Sequence, residues 1–326
     1  MIKIRKASTR RPSLTRGVVM LAASALILTA CGDDSNSNSG SDTTAASNTE
    51  ATFPLTISQA EGDLTFDAAP TRIISLSPTA TEMLWAIGAG DQVVAIDNMS
   101  NYPEEAQEKA SELSGFEPNI EAIAEYEPDL VVVSYAPEGM ADGLAALDIP
   151  VWYGNAAVTL DDVYSQIETL GAITGQVSNA AELVESMKTQ IDEAIASVDK
   201  PTGATYFYEL DNTYYSVTSN TFVGSLMTAF GMTSIADGVE EGNDYPQLNA
   251  EVIIESDPTF IFLADTAYGE TAETVAARPG WASLSAVTGD RVVGLDSDIA
   301  SRWGPRVVDL VVAVADALSA SYATAE

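Results

Sequence analysis

A chain of 326 residues with 48 acidic and 14 basic side chains carries a formal charge of −34, and it holds no histidine and a single cysteine. The charge makes nucleic acid and anionic membrane surfaces poor partners for the body of the protein. The missing histidines and the lone cysteine remove Ser-His-Asp and Cys-His nucleophile systems, intramolecular disulfides, and the usual imidazole and thiolate metal sites.

The first thirty residues read as a leader. Lys3, Arg5, Lys6, Arg10, Arg11 and Arg16 precede "VVMLAASALILT". That apolar run is shorter than the ~20 residues a membrane span needs, so it predicts a signal peptide over residues 1–30. It ends in "LTAC", which resembles the lipobox of bacterial lipoproteins and implies cleavage after Ala30 with lipid on Cys31. "TRRPSL" only loosely resembles a twin-arginine signal, and the export route stays open. Residues 31–52 are almost wholly Ser, Asn, Thr, Asp and Gly, too polar to bury a core, and read as a disordered tether. Loss of the six basic residues of the leader takes the charge from −34 to −40.

The body alternates short apolar runs with helical patterns, the signature of an α/β protein with mainly parallel sheets. "RIISL" (72–76), "VVAI" (93–96), "LVVV" (130–133) and "VWY" (151–153) are strand candidates in an N-terminal lobe, 53–159. Helices are expected near Thr79, Pro103, Ile120 and Gly139. Residues 160–200 read as linking helices, broken near Gly171 to Gly175. The second piece takes Ser178 as N-cap and Ala181, Val184, Met187, Ile191 and Ile195 as one stripe, a rod of about 30 Å between lobes. In a C-terminal lobe, 201–326, "TYFYEL", "YYSV", "FIFL" and "VVGL" read as strands, with a turn at "LDNT" and helices near Phe222, Ala250 and Pro305.

The lobes echo each other. "NIEAIAEYEPDLVVV" from Asn119 registers without a gap on "NAEVIIESDPTFIFL" from Asn249, pairing Glu121 with Glu251 and Pro128 with Pro258. "SPTATEML" from Ser77 and "SNTFVGSL" from Ser219 both open with Ser-x-Thr, as helix starts do. No phosphate-binding glycine loop is present. Adjacent acids such as Glu104–Glu105 are expected by chance in so acidic a chain, and they do not mark a catalytic couple.

"RIISLSPTATEMLWAIGAGDQVVAI", "NYPEEAQ", "NIEAIAEYEPDLVVV", "YPQLNAEVIIESDPTFIF" and "SRWGPRVVDLV", in this order, resemble the periplasmic-binding proteins that serve ABC importers of iron–siderophore complexes and cobalamin. The resemblance runs from about Phe53 to the C-terminus. It implies two α/β lobes joined by one rigid helix, a metal complex as cargo in the cleft, no cofactor of the protein's own, and an ABC permease with its ATPase as partners. It also implies that Glu121 and Glu251, one per lobe, dock onto permease arginines; a helix-start acid also suits the local dipole. The expected protein is an extracytoplasmic monomer held at the membrane by its lipid. An enzyme on a related two-lobed fold, or a receptor that addresses a sensor, remains an alternative.

Binding loops of α/β sheets lie at the carboxyl ends of the strands. This places Ser77, Pro78, Thr79, Asn98, Tyr102, Phe116, Tyr135, Glu209, Tyr214, Tyr245, Tyr268, Arg302 and Trp303 as ligand-site candidates, with aromatic rings to stack on a large flat cargo. Trp85, inside a helix, reads as core. In the family's cobalamin binders tryptophans stand just upstream of the docking acids; here Phe116 and Tyr245 do, a departure that weighs against cobalamin. Arg302 and Arg306 are the main loop cations, too few for an anionic ferric catecholate. A corrinoid or a ferric hydroxamate fits better.

Overall fold

The computed structural model describes residues 51–323. The leader, the lipidation site Cys31 and nearly all of the tether lie outside the described residues. An antiparallel hairpin opens the described chain, β1 (Leu55–Ile57) with β2 (Leu64–Phe66). The sequence reading missed it, because three-residue strands beside a polar tether give too short an alternation to register.

The continuous apolar runs form strands buried on both faces. In the first lobe β3 (Ile73–Leu76), β4 (Val93–Ile96), β5 (Leu130–Val133) and β6 (Val151–Tyr153) make a parallel sheet in the order β4-β3-β5-β6. The helices between them are α1 (Pro78–Ala86), α2 (Ile120–Ala124) and α3 (Met140–Ala145). The segment after Pro103 is a 3-10 turn, Glu104–Lys109, rather than the helix expected there.

Two helices follow. α4 (Leu160–Thr174) starts on a capping box between Thr159 and Asp162 and stops at Gly175, whose φ of 80° ends the helix. α5 (Val177–Ala196) begins one residue earlier than expected, after Gln176, so Ser178 lies inside it and is not its cap. Its buried stripe is Ala180, Val184, Met187 and Ile191, with Ala181 outside it. Twenty residues at 1.5 Å each give the expected rod of about 30 Å.

The second lobe repeats the first. β7 (Thr205–Glu209), β8 (Thr233–Ser234), β9 (Phe260–Leu263) and β10 (Val292–Gly294) form a parallel sheet in the order β8-β7-β9-β10. In both sheets the first strand lies inside, the second takes one edge, and the third and fourth extend the other side. The connecting helices are α6 (Phe222–Ala229), α7 (Ala250–Ser256), α8 (Ala272–Ala276), α9 (Ser285–Thr288) and α10 (Ser297–Ser301), and α11 (Val307–Ala323) closes the described chain. "YYSV" is not a strand of the sheet. It makes a single antiparallel bridge, Tyr215 to Gln247, and its extended backbone instead anchors the 244–248 loop through Ser216 N to Pro246 O and Thr218 N to Asp244 O. The Ser-x-Thr echo is also looser than it reads, since α1 is capped by Ser77 but α6 by Thr221.

Alternate residues of each strand enter different cores. The outer faces have separate cores, one around Ile74, Val131, Ile123 and Leu144, the other around Phe207, Ile261, Ile253 and Trp281. The inner faces share a single cluster with α1, α4, α5, α6 and α11, running from Ile73 and Val132 through Ile167, Val184 and Met187 to Tyr208, Phe262 and Leu310. The linking helices are therefore the common core of both lobes.

Candidate functional site

The Asn-Glu repeat forms the same local structure twice. Asn119 caps α2 by accepting from Ala122 N at 3.1 Å, and Asn249 caps α7 by accepting from Val252 N at 3.0 Å. Ile123 and Ile253 are buried and Pro128 and Pro258 close off the turn into β5 and β9, with Glu127 and Asp257 both at positive φ, 49° and 42°. Glu121 and Glu251 occupy the second helical position of their helices and are exposed. In a β-α-β unit helix starts share a side with strand carboxyl ends, so each acid lies on the side where its lobe's strand-end loops gather.

Those loops carry the exposed rings. Tyr102 is 45% exposed, Phe116 73%, Tyr135 61%, Tyr245 54% and Tyr268 87%, values that leave most of each ring unpacked. Phe116 follows Gly115, where a Cβ would collide with the carbonyl of Leu76, so its loop lies directly over the end of β3. Tyr245 sits on the loop that the "YYSV" backbone anchors, and its N–H is fixed by Asn243 Oδ1 at 2.9 Å. Asn98 is exposed at the end of β4, its N–H bound to Leu113 O at 2.8 Å. Trp85 is half-buried against the shared core.

Other candidates are internal. Ser77 and Thr79 are buried; Ser77 Oγ accepts from Ala80 N and lies 2.5 Å from Ser134 Oγ, while Pro78 takes the first helical position. Below them Thr81 Oγ1 donates to Ser75 Oγ at 2.8 Å and lies 2.9 Å from Ser100 Oγ, a chain of hydroxyls. In the second lobe Glu209, at the end of β7, is fully buried and takes Arg278 through both oxygens, at 2.6 and 2.5 Å. Arg278 also bonds Glu270 at 2.7 Å, and its guanidinium lies 4.7 Å from the centre of the buried Trp281, which stacks on Tyr214. Burial pushes Glu209 up to about 6 despite the guanidinium. Burial also raises Asp265, at the end of β9, whose carboxylate oxygens are buried without a hydrogen-bond partner.

Arg302, Trp303 and Arg306 bind the lobes to each other. Glu82 of α1, with a side chain 2% exposed, accepts from Arg302 Nη1 at 2.9 Å and from Arg306 Nε and Nη2 at 2.9 and 2.5 Å. Arg302 further donates to Asn101 Oδ1 at 2.8 Å and to Asp298 Oδ1 at 2.7 Å. Trp303 Nε1 donates to Gln166 of α4 at 3.2 Å. Gly304 permits this approach: a Cβ there would stand 3.2 Å from Glu82 Oε2 and 3.6 Å from Thr79 O. Arg306 lies 4.1 Å from the centre of the Tyr102 ring, and the two line a groove of about 520 Å³ together with Glu82, Trp85 and Met187. The sequence reading named Arg302 and Arg306 as open cleft cations; it did not see Glu82, Arg278 or Trp281, because these pairings join residues far apart in the chain. Among the described residues no group of three or more His, Cys, Asp or Glu is placed to hold a metal ion, and no helix is long and apolar enough to cross a membrane.

Two duplicated parallel sheets on a shared helical core, with ring-bearing loops at their strand ends, set the frame for comparison with known proteins. Residues 73–299 match the family model described as periplasmic binding protein. The chain belongs to the periplasmic binding protein family. It is 30% identical over 308 residues to the ABC transporter substrate-binding lipoprotein YvrC of Bacillus subtilis, across 91% of this chain and 95% of that one. It is 29% identical over 279 residues to the cobalamin-binding protein of Halobacterium salinarum, across 81% of this chain and 74% of the relative. The crystal structure of the periplasmic vitamin B12 binding protein BtuF of Vibrio cholerae superposes with a TM-score of 0.65 at 27% identity, across 78% of this chain and 98% of the other. This periplasmic binding protein therefore serves an ABC importer by capturing a solute, in a family of binding proteins rather than enzymes.

Proposed function

We propose that this periplasmic binding protein captures a corrinoid, a flat metal macrocycle edged with amides, between its two lobes and delivers it to an ABC permease. The observation that carries the reading is the set of exposed rings, Tyr102, Phe116, Tyr135, Tyr245 and Tyr268, on the strand-end loops of both lobes. Isolated rings on a surface need no ligand, but rings gathered on one class of loop in both halves offer stacking area at small entropic cost. The cobalamin-binding names of relatives support the same class. Cargo of this kind brings its own metal, so the protein supplies shape, rings and hydrogen bonds and no cofactor.

Docking falls to Glu121 and Glu251. A carboxylate can take a two-pronged bond from an arginine, stronger and more directional than a neutral hydrogen bond. Lipid on Cys31 would keep the monomer beside its permease, with residues 32–52 as the tether.

Titration of the purified protein with cyanocobalamin, followed by tryptophan fluorescence and calorimetry, tests the cargo. Saturable one-to-one binding is expected. Absence of binding, with a neutral ferric hydroxamate bound instead, would move the cargo to the siderophores. The double variant Glu121→Lys/Glu251→Lys should keep cargo affinity within about twofold, the scale of an exposed substitution. It should lose uptake in vesicles reconstituted with the permease and ATPase; normal uptake would reduce both acids to helix-start residues.

A further inference from the structure

The two arginines at the lobe boundary are already saturated. Arg302 places its guanidinium on Glu82, Asn101 and Asp298, and Arg306 places two nitrogens on Glu82 and its face over Tyr102. Two positive and two negative charges close on themselves, and Asn101 Nδ2 completes the ring by donating to Asp298 Oδ2 at 2.7 Å. The network is not sealed away from the solvent. The arginine side chains are 11% and 17% exposed, and Glu82, Arg306 and Tyr102 line the boundary groove. A cargo in the cleft therefore meets arginine whose charge is spent.

We propose that Glu82 and Asp298 determine the charge class of the cargo: by neutralising Arg302 and Arg306, they make the cleft select metal complexes without net negative charge and reject anionic ones. The inference rests on the reading that a metal complex is held between the lobes, and it adds the property by which that complex is chosen. An anionic ligand would need a guanidinium as counter-charge. To obtain one it must displace Glu82, and that leaves a carboxylate buried and unpaired, which is costlier than the contact it would gain. A surrounding protein with a net charge of −34 adds long-range repulsion of the same sign. A ligand edged with neutral amides loses none of this, because it can hydrogen-bond beside the network without breaking it. Specificity then comes from a rejecting element as well as from the stacking rings.

The test compares two ligands of one shape and different charge, cyanocobalamin and dicyanocobyrinic acid, whose macrocycle carries free carboxylates in place of amides. Wild type should bind the neutral ligand at least a hundredfold more tightly. Glu82→Gln keeps the side-chain shape while releasing one positive charge at the boundary. It should raise affinity for the carboxylate ligand at least tenfold and alter cyanocobalamin affinity by less than threefold. Asp298 is more exposed, so Asp298→Asn guards against a Glu82 variant that fails to fold; a gain of threefold or more for the carboxylate ligand is expected. The charge-balanced pair Glu82→Gln/Arg306→Gln should return to the wild-type preference. No gain for the carboxylate ligand in any folded variant, with cyanocobalamin still bound, would overturn the charge-selection inference alone. Failure of wild type to bind either macrocycle would instead overturn the proposed cargo, and the same comparison run with a neutral ferric trihydroxamate against an anionic ferric tris-catecholate would then decide the charge rule: parity between them in wild type sinks it.

Discussion

The two lobes share a strand order and a capped docking helix, yet they finish their first strand in different ways. At the end of β3 the buried polar groups are hydroxyls, Ser75, Ser77, Thr81 and Ser100, linked to one another and to Ser134. At the end of β7 the same place holds a charged assembly, Glu209 with Arg278 and Glu270, roofed by Trp281 and Tyr214. A duplicated topology evidently constrains where polar groups may be buried and leaves their chemistry free. Hydroxyls give a set that does not titrate in the working range. The ion pair gives one that does, and whose loss leaves a buried charge behind.

The contrast breaks most visibly at Arg278. Arg278→Met leaves Glu209 buried without its partner and should cost about 3–5 kcal/mol, the usual loss for half of a buried pair. Denaturant unfolding of the variant checks it, and a loss below about 1 kcal/mol would mean that water reaches Glu209 freely. Substitution of Phe116 or Tyr245 by Ala asks whether the lobes contribute equally to cargo. Each should weaken binding by about 1–3 kcal/mol, the worth of a stacked ring and its buried area, with the stability of the free protein nearly unchanged. A strong effect from one and none from the other, read by calorimetry, would place the cargo on a single lobe.

The titratable lobe also predicts a pH signature. Glu209 stands at about 6 in the folded protein against an ordinary 4.5. The folded state thus holds this proton more tightly than the unfolded chain. The stability so gained is fully present below about 4.5 and is lost as pH rises through about 6. Unfolding free energies of wild type minus those of Glu209→Gln should therefore fall across that window; a rising difference would mean that Arg278 governs the carboxyl instead of burial. The smallest effect belongs to the hydroxyl lobe, where Ser75→Ala should cost about 0.5–1.5 kcal/mol, one net hydrogen bond, with no pH dependence.

Much of the fold was legible because its signals are local. Unbroken runs such as "LVVV" and "FIFL" could only be strands covered on both sides, and the Asn-Glu-Ile-Pro spacing marked the duplicated helix. What escaped was set at a distance or by very short pieces. The hairpin of β1 and β2 and the two-residue β8 are too brief for any period to show. "YYSV" has the composition of a strand, but a loop thirty residues on takes its hydrogen bonds. Of the candidate site, the exposed rings were readable, since aromatics in loops between apolar runs have little to pack against. Glu209 and Arg302 read as open cleft groups because nothing near them in sequence names their partners; Arg278 lies 69 residues from Glu209 and Glu82 220 from Arg302.

One hydrophobic cluster passes from the first sheet through α4, α5 and α11 into the second. A rod gripped along its length by side chains of both neighbours cannot serve as a pivot. The span between Glu121 and Glu251 is then laid down when the protein folds and stays the same whether the cleft is empty or full. For the permease, the pair of acids becomes a ruler and not a gauge. It tells the transporter which protein has arrived. Word that cargo is aboard has to come from elsewhere on the contact face, from atoms of the cargo itself or from the rings that rearrange around it at the mouth of the cleft.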